Sequence, residues 1–246
     1  MDWEKLCDEI VDWLKEQARR SGGAGGVFGL SGGIDSAVVA GLCKRAFGEH
    51  SLGVIMPCFS QELDTRHGEQ VAKAFDLPYV IVNLDGTYCS LLEALNTSES
   101  EHRAQEGDLA LANIKPRLRM TVLYYYAAVK HYRVVGTGNK SEIYIGYFTK
   151  YGDGAVDLEP LGELTKNEVR QLALHLGVPG EIINKKPTAG LWEGQTDEAE
   201  MGFSYDELDR YLEGKPVEDS LLGKIENLHG QSAHKRILPP TFQRKV

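Results

Sequence analysis

No run of apolar residues in this sequence approaches the roughly 18 needed for a helix to cross a bilayer, which predicts a soluble chain with no membrane partner. The first residues, Met1-Asp2-Trp3-Glu4-Lys5, lack the basic and then apolar character of an export signal, so the expected location is the cytoplasm. Cysteine is scarce: Cys7, Cys43, Cys58 and Cys89 form no C-x-x-C pair and keep no zinc-like spacing with histidine. A disulfide framework or structural metal therefore finds no support, and the four read as buried thiols. Positive charge is also short, with 27 Lys and Arg against 36 Asp and Glu, a net charge of −9. That balance argues against a nucleic-acid partner, because phosphate binding over a broad surface is dominated by cations. A local basic pocket for a small polyanion stays open.

What the chain does have is glycine, 27 of its 246 residues, about 11% against a usual ~7%, and the glycines cluster. Residues 3 to 20 put Leu6, Ile10, Trp13 and Leu14 on one face at helical spacing, ahead of a glycine-rich loop. Val27 to Leu30 reads as a buried strand, Ser31 to Ser36 as a turn, and Ser36 to Phe47 as a tightly packed helix. Strands Leu52 to Met56, Tyr79 to Asn83 and Arg133 to Gly136 then alternate with helices Glu62 to Phe75, Tyr88 to Leu95 and Pro116 to His131. Such alternation predicts an α/β fold, an open parallel sheet with helices on both faces, in a single domain. Beyond Gly136 come a Gly- and Asp-rich stretch over 146 to 162, a helix from Lys166 to Leu176, and a polar, aperiodic stretch over 186 to 202. The last is expected to be a mobile lid without a fixed packed position, or else a plain connector. Helices Tyr205 to Leu212 and Val217 to Leu228 lead to a basic tail over 234 to 246.

Two familiar phosphate-binding patterns are missing. G-x-G-x-x-G fails because Phe28 stands where the third glycine belongs after Gly23-Ala24-Gly25, and G-x-x-x-x-G-K-[ST] fails too. In their place stands Ser31-Gly32-Gly33-Ile34-Asp35-Ser36, with backbone N–H groups at a helix start, two hydroxyls and a carboxylate. A carboxylate beside phosphate repels it unless a divalent cation intervenes, and Mg²⁺ commonly binds through one or two carboxylates plus phosphate oxygens. Asp35 then reads as a metal ligand; the bland alternative makes Ser31 and Asp35 ordinary helix caps.

The hexapeptide resembles the pyrophosphate loop of ATP pyrophosphatases, which split ATP into AMP and pyrophosphate. Asn113-Ile114-Lys115-Pro116-Arg117-Leu118-Arg119-Met120, Gly136-Thr137-Gly138-Asn139-Lys140-Ser141-Glu142, Phe148-Thr149-Lys150-Tyr151-Gly152-Asp153, Lys186-Pro187-Thr188-Ala189 and His234-Lys235-Arg236 are similar to stretches of NAD⁺ synthetases. This resemblance covers residues 29 to 240. It implies a Rossmann-like fold of the adenine nucleotide alpha hydrolase type. The implied activity is amidation of deamido-NAD⁺ (nicotinic acid adenine dinucleotide) with ammonia and ATP, through an acyl adenylate, as the last step of NAD⁺ biosynthesis. Mg²⁺ is the implied cofactor, ATP the co-substrate, and a homodimer the implied assembly. By the same resemblance Gly29, Leu30, Ser31, Gly32, Gly33, Ile34, Asp35, Ser36, Thr137, Lys166 and Thr188 contact ATP. Asp35 and Glu142 hold the metal; Arg117, Lys150, Asp157, His234 and Lys235 contact deamido-NAD⁺; Asp35, Lys166 and Asp153 form the catalytic set.

Some of these positions carry a physical reading of their own. Thr165-Lys166-Asn167-Glu168 is a capping box that puts Lys166 in a first helical turn, where a cation opposes the macrodipole by roughly 0.3 to 1 kcal/mol. A bound anion removes the conflict; otherwise Lys166 is an exposed surface lysine. Arg117 and Arg119 lie about 200° apart on a helix, so they cannot share one pocket wall, and geometry does not choose between them. The resemblance selects Arg117 and leaves Arg119 as a structural ion-pair former. Fewer than 30 residues precede Val27, so no glutaminase domain is expected, and ammonia is to come free or from a separate glutaminase chain. A non-catalytic nucleotide sensor is the rival class, and it leaves the joint presence of Asp35, Glu142 and Lys166 without a purpose.

Overall fold

The computed structural model describes residues 1–95, 108–192 and 194–244; position 193 of the expected lid and the last two residues of the tail lie outside the described residues. Helix α1 (Trp3–Arg20) starts where the Asp2 side chain accepts from the Lys5 N–H, and it buries Cys7, Ile10, Val11, Leu14 and Ala18. Trp13, expected on that buried face, stands at its edge and is 39% exposed. Strand β1 (Gly25–Gly29) feeds α2 (Ile34–Phe47), whose residues Ser36 to Cys43 are all buried because the helix is packed between β1, α1 and a later helix.

Then come β2 (Ser51–Ile55), α3 (Glu62–Ala74), β3 (Tyr79–Ile81) and α4 (Asp85–Ala94). A short α5 (Leu109–Ala112) and a long α6 (Ile114–Lys130) precede β4 (Tyr132–Val134). The described strands form one all-parallel sheet in the order β3-β2-β1-β4. The chain thus moves outward from β1 to β3 and crosses back to place β4 on the other side of β1. Ligands of open α/β sheets bind beside the carboxyl ends of the strands where that reversal occurs.

Two apolar clusters cover the two faces. One joins α1, α2 and α3 with α8 (Lys166–Leu176), and the other joins α4, α5 and α6. A third cluster, around Tyr205, Leu208 and Ile225, gathers α7 (Lys140–Ile145), α10 (Asp197–Met201), α11 (Tyr205–Leu212) and α12 (Asp219–Gln231); the remaining short α9 (Gly180–Ile183) follows α8. Cys7, Cys43 and Cys58 are buried, Cys89 is half-buried, and all four are free thiols. Burial holds the Cys43 thiol far above its ordinary pKa.

Strand boundaries differ from those the apolar pattern predicts. β1 begins at Gly25 because the ladder to β4 opens on Gly25 and Gly26, which have no side chain to show a pattern. β4 ends at Val134, although the Val135 N–H still bonds the Val27 carbonyl of β1 at 2.8 Å while Val135 bridges Leu158 on its other side.

Candidate active site

The chain leaves β1 at Gly29 and turns into α2. Gly32 has φ +74°, and a Cβ there would come within 2.6 Å of the Asp64 carbonyl oxygen and 2.7 Å of His67 Cβ, so only glycine lets the loop lie against α3. Gly33 is the N-cap, and no side chain caps the first turn of this 14-residue helix. The Ser31 and Ser36 hydroxyls instead bond each other at 3.1 Å, and Ser36 Oγ donates to the Gly33 carbonyl at 2.9 Å. Ser31 and Asp35 are therefore not helix caps, and the helix N-terminus is left to receive an anion.

Asp35, in that first turn, meets two residues from distant parts of the chain. Lys166 Nζ lies 2.6 Å from Asp35 Oδ2 and 2.9 Å from Glu142 Oε1. Asn139 Nδ2 donates to Asp35 Oδ1 at 2.8 Å while the Asn139 side-chain oxygen caps α7 in a box closed by Glu142. Glu142 is thus a capping residue and a member of the charged cluster at once. Lys166 opens α8 behind the expected Thr165/Glu168 capping box, and Asp209 on α11 accepts from the Asn167 N–H at 2.8 Å. The anion that offsets the Lys166 charge is the protein's own pair of carboxylates, and at 2% side-chain exposure it is no surface lysine.

The electrostatics follow from this packing. Burial lowers the Lys166 pKa, but Asp35 and Glu142 raise it further, leaving the ammonium above the usual lysine range and charged. Burial raises Glu142 above the usual carboxylate range, opposed by Lys166 and reinforced by Asp35. Asp35 and Glu142 keep 16% and 17% of their side-chain surface open, and both line the cavity. Two hard carboxylates with open edges beside a phosphate loop fit Mg²⁺, which completes its shell with water and phosphate oxygens. Among the described residues no larger His, Cys, Asp and Glu group gathers.

The cavity measures about 690 Å³. Gly29, Leu30, Ser31, Gly33, Ile34, Asp35 and Ser36 form its floor, and Gly32 sits behind them against α3. Thr137, Glu142, Asp153, Lys166, Thr188 and Lys235 line it as well. Arg117, Lys150, Asp157 and His234 do not.

Exposed Arg117 directs Nη2 toward the Lys150 carbonyl at 3.4 Å. Arg119 is the arginine that reaches the cavity, and it forms no ion pair within 4.0 Å among the described residues. It donates instead to the Met56 carbonyl at 3.1 Å and to Ser60 Oγ at 3.3 Å, because α6 packs against the neighbouring β1 and its arginine reaches the segment that follows β2. The expected structural ion pair of Arg119 is thereby corrected. Asp157 ties its loop to β4, accepting from the Val134 N–H at 2.9 Å and the Tyr124 hydroxyl at 3.2 Å, beside a second cavity. Lys150 Nζ bonds the carbonyl of His234, whose side chain is exposed. Lys235 is half-buried rather than free in solvent, donating to the Gly146 and Phe148 carbonyls at 2.7 Å each.

Residues 186 to 202 divide in two. Lys186, Thr188 and Ala189 are exposed along the cavity rim. From Gln195 onward one side of the segment is packed, with Gln195 8%, Asp197 4% and Met201 8% exposed, while Glu198, Ala199 and Glu200 are exposed. The expectation that the whole stretch lacks a packed position does not hold, because its polar side chains satisfy one another. Gln195 Nε2 and the Tyr147 hydroxyl both donate to Glu200 Oε2, at 2.9 and 2.7 Å. The Tyr205 hydroxyl donates to Asp197 Oδ2 at 2.9 Å and lies 3.3 Å from Glu142 Oε1, with its ring 4.8 Å from Lys166 Nζ. Tyr205 and Asp197 escaped sequence reasoning, which had no signal for them; Asn139 carried one, as an Asn-x-x-Glu capping box.

A family model described as NAD synthase matches residues 6–239. The NH₃-dependent NAD⁺ synthetase of Carboxydothermus hydrogenoformans is 50% identical over 239 residues, 97% of each chain. Among solved structures, the NMN synthetase of Francisella tularensis superposes with a TM-score of 0.91 at 37% identity, covering 99% of this chain and 100% of that one. The NH₃-dependent NAD synthetase of Campylobacter jejuni gives 0.80 at 31% identity, with 99% and 100% covered. A phosphate loop at the sheet's switch point, a charged cluster from three separate segments and similarity along nearly the whole chain converge, and the protein belongs to the NAD synthase family.

Proposed function

We propose that this enzyme amidates deamido-NAD⁺ to NAD⁺, using ATP and ammonia and releasing AMP and pyrophosphate. The observation that carries this reading is the meeting of Asp35, Glu142 and Lys166 at the open N-terminus of α2, inside one cavity. A carboxylate is a poor acyl donor, so its oxygen first bonds to the α-phosphorus of ATP while the bond to the β-phosphate breaks. Ammonia then displaces AMP from the acyl adenylate. The backbone N–H groups of the Ser31 to Ser36 turn orient the phosphates, and Lys166 places a fixed positive charge beside them, the electrostatic logic common to phosphoryl chemistry. Asp35 and Glu142 would hold Mg²⁺, which when bound neutralises phosphate charge. Thr137 and Thr188 line the same cavity and would contact ATP, and Asp153 lines it too.

Arg117, Lys150, Asp157 and His234 lie outside the cavity of this chain, which supports dinucleotide contacts completed across a homodimer. Exposed Tyr125 and Val129 on one face of α6, 62% and 60% exposed, suit such a contact. No described helix is long and apolar enough to cross a membrane, in keeping with action in the cytoplasm. The test is pyrophosphate release from ATP by purified protein. It should require deamido-NAD⁺ and Mg²⁺, and NAD⁺ should form with ammonium and not with ammonia-free glutamine, which leaves a separate glutaminase as the alternative ammonia source.

The NMN synthetase neighbour motivates a second reading, in which a mononucleotide acid is the better acyl substrate. Comparing kcat/KM for deamido-NAD⁺ and for the deamido form of NMN decides between them.

A further inference from the structure

Lys185 and Asp64 make an ion pair outside the Asp35, Glu142 and Lys166 cluster. Lys185 Nζ lies 2.6 Å from Asp64 Oδ1 and 3.4 Å from the Gly32 carbonyl, so the ammonium rests against the phosphate loop itself. Asp64 belongs to α3, on which that loop lies, and Lys185 follows α9 immediately before the expected lid. Both side chains line the cavity and keep 20% and 22% of their surface open.

Lys166 is 2% exposed and already shared between two carboxylates, so it has little freedom to follow a phosphate group. A polyphosphate carries several negative charges, and one saturated lysine cannot offset them. Lys185 differs in the ways that matter: it is reachable, it has one carboxylate partner among the described residues, and its flexible stem lets the ammonium turn from one anion to another.

Resting on the ATP-dependent reading above, we propose that Lys185 is a second phosphate-binding cation, kept in place by Asp64 until ATP enters. Its ammonium then turns from Asp64 to the β- and γ-phosphates. When the substrate oxygen bonds to the α-phosphorus and the bond to the β-phosphate breaks, the electron pair leaves with pyrophosphate. Lys185 offsets that charge. Asp64 has two opposed effects, holding the ammonium ready and competing with phosphate for it.

Inorganic pyrophosphate with Mg²⁺ is the probe, titrated calorimetrically into the intact protein and into Lys185→Ala, Lys185→Arg and Asp64→Asn. Losing one charge-assisted hydrogen bond corresponds to about a tenfold change, so Lys185→Ala should weaken pyrophosphate about tenfold or more and raise the KM for ATP alike. The KM for deamido-NAD⁺ should move much less, and Lys185→Arg should restore most of the binding. Asp64→Asn should shift pyrophosphate binding the opposite way, toward tighter, because it removes a competitor and a like charge. A purely structural ion pair predicts the same sign for both partners. The proposal is overturned if Lys185→Ala binds pyrophosphate as the unaltered protein does, or if Asp64→Asn weakens binding as Lys185→Ala does. Should the unaltered protein bind neither pyrophosphate nor ATP, the proposed function falls and takes this inference with it.

Discussion

Lys166 Nζ and Asp35 Oδ2 lie 2.6 Å apart across 131 positions of sequence, one at the start of α8 and the other at the start of α2. Each sits in the first turn of its helix, where the dipole favours the acid and opposes the base.

Removing the lysine from this pair should be costly. Lys166→Met leaves Asp35 and Glu142 facing each other without a counter-charge, and breaking a buried ion pair from one side typically costs about 3 to 5 kcal/mol. Denaturant unfolding should show a loss of that order together with loss of pyrophosphate release. Adding Asp35→Asn to Lys166→Met should recover part of the stability and none of the activity.

Glu142→Gln separates the two tasks of Glu142. Glutamine also serves at the third position of a capping box, so α7 should keep its N-terminus, and because Lys166 retains its other carboxylate partner the melting temperature should fall less than in Lys166→Met. Turnover should fall by about 10² to 10³, the scale seen when one electrostatic group is removed from a site. Asp35→Asn should behave alike. Near-normal rates at limiting Mg²⁺ for both variants would remove the metal assignment.

Glu159 supplies a pH dependence. Its carboxyl packs against Gly136, where a Cβ would lie 2.5 Å from Glu159 Cδ, and its buried Oε2 has no hydrogen-bond partner among the described residues. Burial pushes its pKa up to about 8 from 4.5. A carboxyl raised in the folded state contributes stability that is present in full below its unfolded value and is lost as pH rises through about 8. Denaturation between pH 5 and 8.5 should therefore show stability declining by up to about 1.4 kcal/mol per pH unit, and Glu159→Gln should flatten the slope.

Tyr205→Phe probes the packed half of the lid. Its hydroxyl bonds to buried Asp197, and losing it should cost about 1 to 2 kcal/mol. Limited proteolysis within residues 186 to 202 should speed up in this variant and slow down in both proteins when ATP analogue and deamido-NAD⁺ are added. Equal cleavage with and without substrates would make the segment a connector.

The α8 boundaries were legible in the sequence because a capping box and a helical apolar stripe agree there, and both fall on Lys166 to Leu176 as expected. The phosphate loop was legible because glycine, hydroxyl and carboxylate at fixed spacing have few other uses. The packed half of the lid was not. Its order rests on Asp197 and Glu200 bonding to tyrosines of other segments and on Gln195 bonding to Glu200, and polar pairing leaves no hydrophobic period to read. Arg117 and Arg119 show the same limit: which one reaches the cavity depends on how α6 packs against β1 and β4, a tertiary fact.

The charged cluster draws on residues 35, 142 and 166, each fixed by a separate helix start. During synthesis the phosphate loop emerges long before its lysine, and a chain ending short of position 166 holds Asp35 without that counter-charge. Contacts spanning so much sequence close late, because loop-closure entropy must be overcome before they form. The three-residue cluster is therefore complete only after α8 has joined a sheet whose last described strand already ended at Val134.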